Sequence, residues 1–201
     1  MNDSINPTVP SKRHFLKGAL SLATLPSLSA AVPAARKSGP REGYFPNALL
    51  QTHDGRTVRF YDDLVRGKTV IFNMMYAVCT GVCPATTANL IQVQQKLGGR
   101  VGRDIFMYSL TLRPEFDTPA ALRDYVKQYD IGPGWTFLTG NPAEMDLIRR
   151  RLGFYDVDPA ADAELSQHTG MIRFGDERRD RWAMSPAASS ASQIARSILT
   201  L

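Results

Sequence analysis

Thr57-Val58-Arg59-Phe60 alternates polar and apolar positions, the pattern of a strand with one face in a core and the other in water. Thr69 to Tyr76 (TVIFNMMY) is apolar almost throughout, which predicts a central strand covered on both faces. Thr86, Leu90, Val93 and Leu97 then recur at helical spacing, and Pro84 suits the first position of that helix. The alternation repeats. Asp104–Leu110 reads as a strand, Thr118 as the cap of a helix running from Pro119 to about Tyr129, and Trp135–Leu138 as a short strand. Asn141-Pro142-Ala143-Glu144 supplies a cap, a first-turn proline and a third-position acid for a helix to Leu152. Gly170–Phe174 and Arg181–Met184 predict a hairpin through GDERRD, and Gln193–Leu199 a closing helix. Such an order predicts an α/β domain with a mixed sheet flanked by helices.

The chain holds two cysteines, Cys79 and Cys83, in AVCTGVCP, between the buried strand and its helix. A cysteine pair at that join narrows the fold to the thioredoxin-like kind. It also makes the thiols reactive, because free N–H groups and the positive end of the helix dipole favour the thiolate. Side chains four apart on a helical turn lie roughly 5–6 Å apart at Cβ, close enough to share a metal ion or to bridge.

The N-terminus bears on which use is open. SKRHFLK from Ser11 precedes the mildly apolar stretch Gly18–Ala35, and a basic start, a short apolar run and small residues make an export signal. The string is twin-arginine-like, with Lys12 in the place of the first arginine. Pro26 interrupts the run, which falls short of the ~20 apolar residues that span a bilayer. We therefore divide the chain into an export signal (1–35), a Pro/Gly-rich linker (36–46) and a domain (47–201) exported to the periplasm, with uncleaved membrane tethering as the lesser option. Of the formal net charge of +5, residues 1–35 carry +2 (Lys12, Arg13 and Lys17 against Asp3). The remaining basic residues, Arg149-Arg150-Arg151 among them, are interspersed with acids and make no basic-aromatic stripe, so nothing supports nucleic-acid binding.

Three chemistries could use the thiols. A structural disulfide would close a loop too short to add much stability. A thiol–disulfide oxidoreductase is compatible with an oxidising compartment, yet such enzymes of this fold usually space their cysteines by two residues, and a proline usually precedes the strand facing them. Here three residues intervene, and Ala163 to Ser185 holds no proline. A metal site needs a third ligand. His14 sits in the export signal, and His53 lies in the turn QTHDGR, where a surface role is expected. His168, in LSQHTGMI just before the strand that faces the pair, is the candidate third ligand. Two thiolates and one imidazole suit copper, whereas structural zinc would want a fourth protein ligand. Met74, Met75, Met107 and Met171 fall in strand-like runs and are expected in the core.

AVCTGVCPATTANL, SLTLRPEFDTPAALRDYV, WTFLTGNPAEMDLIRRRLGF and QHTGMIRF, in that order, resemble the Sco/SenC copper chaperones, assembly factors for cytochrome c oxidase. The resemblance runs from about Phe45 to Leu199. It implies a thioredoxin-like fold and one copper ion held by Cys79, Cys83 and His168. It further implies delivery of copper to the dinuclear copper site of oxidase subunit II or another copper-accepting protein, or reduction of the cysteines there. A redox-active Cys79–Cys83 disulfide, in an oxidoreductase or in a redox or copper sensor, is the alternative. Gly81, Gln167 and Arg113 stand where the family often carries acidic or polar residues, which bears on the docking partner and not on the ligand set.

Overall fold

A computed structural model describes residues 38–165 and 170–201; the predicted export signal and His168 lie outside the described residues. Seven strands form one mixed sheet: β1 (Leu49–Thr52), β2 (Thr57–Arg59), β3 (Thr69–Met75), β4 (Ile105–Thr111), β5 (Trp135–Gly140), β6 (Met171–Asp176) and β7 (Arg181–Pro186). Their order is β2-β1-β5-β4-β3-β6-β7. β3, β4 and β5 run parallel, joined by helices α1 (Val82–Leu97) and α2 (Pro119–Gln128), while the other pairings are antiparallel. The remaining helices are α3 (Pro142–Arg151), the single turn α4 (Pro159–Asp162) and α5 (Ala191–Leu199).

All seven residues of β3 are buried, as its apolar run predicts. Its alternating side chains feed two cores. Ile71 joins Leu90 and Val93 of α1, Leu122 of α2 and Ile194 of α5 on one face. Phe72 joins Phe60, Tyr108 and α3 residues Met145 and Ile148 on the other. The polar members of the sheet satisfy one another: the Trp135 indole N–H donates to the Ser109 hydroxyl (2.8 Å), which donates to Asn73 Oδ1 (2.7 Å). Unpaired in a dry core, each would cost roughly 1–3 kcal/mol.

The caps act where expected. Thr118 Oγ1 accepts from the Ala121 N–H, and Asn141 Oδ1 from those of Ala143 and Glu144. The predicted closing helix over Gln193–Leu199 is present and spans Ala191–Leu199, capped by Ser190. Two further turns lie outside the sequence expectation. Phe60–Val65 is one wide helical turn, closed by the Arg66 N–H on the Tyr61 carbonyl at 2.8 Å, and Pro159–Asp162 is the other unexpected turn. Asp162 anchors that turn by accepting two hydrogen bonds from the buried Arg149, at 2.7 and 3.0 Å. Phe45, within the segment read as a linker, is 2% exposed and packs on Phe60 and Trp182.

Candidate metal centre

The chain leaves β3 through a turn that returns the Cys79 N–H to the Tyr76 carbonyl at 3.1 Å. Helix α1 then begins at Val82, with Gly81 as N-cap. The expectation that Pro84 opens the helix is therefore corrected by two residues. Proline is tolerated at any position of the first turn, because the N–H groups there have no intrahelical acceptor. The consequence is chemical: Cys83 is the second helical residue, and Cys79 lies in the preceding turn, so the two do not share a helical turn. The thiols nonetheless meet, with Cys83 hydrogen-bonded to Cys79. Both are unbridged and buried, Cys79 at 8% exposure and Cys83 at 1%.

Burial pushes the Cys79 thiol up, but four donors more than offset it and its pKa lies below the ordinary thiol value. They are the Cys83 thiol, the Tyr76 hydroxyl and the backbone N–H groups of Cys83 and Gly81. These are donors to the anion, so they stabilise the thiolate at the head of α1. The bond to Cys79 also pushes the Tyr76 phenol up to about 12, with burial and the nearby Cys83 and Glu164 adding to it. Tyr76→Phe removes one donor and is expected to raise the Cys79 pKa. Ultraviolet thiolate absorbance of the reduced, metal-free protein, followed against pH, should titrate at higher pH in the variant; an unchanged midpoint would exclude Tyr76 as a donor.

Asp117 is a residue the sequence reading did not assign to the site. It is 2% exposed, and its carboxylate accepts the Ala77 N–H through both oxygens, at 3.1 and 3.3 Å, and the Thr111 hydroxyl. Thr111 Oγ1 in turn accepts the Arg113 N–H at 2.9 Å. The Arg113 guanidinium lies over the rings of Phe116 (4.4 Å) and Tyr76 (6.0 Å). The β4–α2 turn thus buttresses the cysteine turn from beside it, and it fixes Tyr76 where its hydroxyl reaches Cys79. No local pattern around Asp117 could reveal this, because Ala77 lies 40 residues away in the chain.

Among the described residues no group of three or more His, Cys, Asp or Glu side chains could hold a metal. The structure brings Cys79 and Cys83 together and leaves the expected third ligand, His168, outside the described residues. His53 is not the surface side chain expected of it. Its Nδ1 accepts the Phe137 N–H of β5 at 3.1 Å, and burial lowers its pKa; it follows β1, which β5 and β4 separate from β3. Met74, Met75 and Met107 are core residues, each 1% exposed.

The SCO1/SenC family model matches residues 46–201. A SCO1 protein homolog from Bacillus subtilis is 29% identical over 92 residues, covering 45% of this chain and 46% of that protein. The chain spans about half the length of the curated relatives it matches. Among solved structures, Bradyrhizobium japonicum ScoI with copper bound superposes with a TM-score of 0.58 at 22% identity, over 76% of this chain and 96% of that one. BsSco, described as having a disulfide switch and as a member of the Sco family of cytochrome c oxidase assembly proteins, gives 0.58 at 20% identity, over 76% and 89%. These likenesses establish the thioredoxin-like fold.

Proposed function

Because the chain belongs to the SCO1/SenC family, we propose that it binds one copper ion through Cys79, Cys83 and His168 and carries it as cargo for cytochrome c oxidase assembly. One observation carries the reading: two buried thiols meet at the start of α1, and four donors hold one of them towards the thiolate. Soft sulfur anions suit Cu(I), and an added imidazole extends the site to Cu(II). The copper-bound ScoI structure, with the same fold, supports the metal. The receiving protein is the dinuclear copper site of oxidase subunit II, reached after export to the periplasm. Oxidation of the pair to a disulfide would remove both thiolates, so reduced thiols are the condition for loading.

His168→Ala tests the ligand set. The variant is expected to lose the visible thiolate-to-Cu(II) charge-transfer band and to bind copper more weakly; an unchanged spectrum and affinity would reject the three-ligand site. The depressed Cys79 pKa also suits a thiol–disulfide oxidoreductase. Disulfide turnover by metal-free protein, insensitive to His168→Ala, would favour that enzyme over a copper carrier.

A further inference from the structure

Cys79 and Cys83 are buried, so they release a metal only to a receiver whose own donor atoms reach the sulfurs. Such a receiver must cover what surrounds the cysteine turn. On the β6–β7 side, Val82 is exposed beside a dent of about 300 Å³ between α1 and the β7–α5 turn. Val82, Ala85 and Asn89 line it from α1, with Gly170, Ala187 and Ala188 opposite, and no charged side chain takes part. The Asn89 amide donates to the Ala187 and Ser189 carbonyls, at 2.7 and 2.8 Å, and fixes the two walls together. On the β4 side, Val78 and Phe116 are 67% and 64% exposed. Apolar side chains clustered around a site, unlike ones scattered singly, mark a contact surface. Arg113 lies over the Phe116 and Tyr76 rings, which engages the face of its guanidinium and leaves its charge in place. No carboxylate or hydrogen-bond acceptor meets that guanidinium among the described residues.

On the copper-carrier reading, on which this inference rests, we propose that the two flanks form the docking surface for the protein that receives the copper. That protein presents an apolar side chain to the dent and a carboxylate to Arg113. The charge steers the encounter and the filled dent holds the complex, because a rim charge acts on association and a buried apolar anchor on dissociation. Cu(I) then passes without change of oxidation state, its bonds to Cys79 and Cys83 breaking as bonds to the receiver's own ligands form.

The test follows passage of Cu(I) from the loaded full chain to metal-free cytochrome c oxidase subunit II by stopped flow, at low and high salt. Ala85→Gln fills the dent with a long polar side chain and lies outside the ligand set. It should melt with the parent and hold Cu(I) against a chelator equally well, yet need about tenfold more receiver for half-maximal transfer. Ala188→Gln, on the opposite wall, should do the same. Arg113→Gln should slow association about threefold at low salt and flatten its salt dependence, whereas Arg113→Lys should keep both near the parent values. A parent chain that holds no Cu(I) would overturn the copper reading, and the docking with it. Three results would overturn the docking surface alone, with Cu(I) still held: no transfer to subunit II, parent-like transfer by both dent-filling variants, or parent-like salt dependence in Arg113→Gln.

Discussion

Cys83→Ser is expected to abolish useful Cu(I) binding. Its affinity should fall by well over the roughly 10–100-fold that follows loss of a group merely supporting a metal ligand. The substitution is nearly isosteric, but a serine hydroxyl does not ionise near neutral pH and offers hard oxygen in place of soft sulfur. It acts twice at this site. It removes one donor atom, and it replaces the thiol that hydrogen-bonds Cys79 and lowers its pKa. Cys83 packs in the core with Leu90 and Val93, so its burial must be separated from its chemistry. Competition against a Cu(I) chelator measures affinity, and thermal melting of the metal-free variant measures fold. Binding within tenfold of the parent would remove Cys83 from the site.

Asp117→Ala should damage both fold and site. The Ala77 N–H and the Thr111 hydroxyl would lose their acceptor at a position 2% exposed. Buried donors left unsatisfied cost about 1–3 kcal/mol each, so a loss of about 3 kcal/mol is expected. For a chain of this size that lowers the melting temperature by about 6–12 °C. The turn that carries Cys79 would lose its anchor two residues before the thiol, and Cu(I) affinity should fall by about 10–100-fold. Asp117→Asn keeps one oxygen for the Ala77 N–H and should recover much of the affinity. Wild-type melting and wild-type affinity in Asp117→Ala would show that the β4–α2 turn does not support the thiols.

The parts of this architecture that were legible are those whose causes are local. The apolar run of β3 announces burial on both faces, and Thr118 and Asn141 announce their helices because a cap acts within three residues of itself. The thiol pair could be placed at a strand-to-helix join for the same reason. Pro84 points to a helix start two residues beyond the observed one, because proline marks the first turn and not a fixed position in it, and Gly81 makes no side-chain cap. Asp117, Tyr76 and His53 act through partners distant in the chain or through a turn geometry that periodicity does not encode. Charge in RPEFDTP drew attention to docking, whereas the Asp117 side chain points inward.

The most direct measurement is a competition titration of the reduced, metal-free protein with Cu(I) against a chromophoric chelator, repeated after oxidation of the thiols. Retention of one equivalent of Cu(I) by the reduced chain, and of none by the disulfide form, is the predicted result. Failure of the reduced chain to hold Cu(I) against the chelator, with both thiols verified as free, would contradict a copper site built on Cys79 and Cys83.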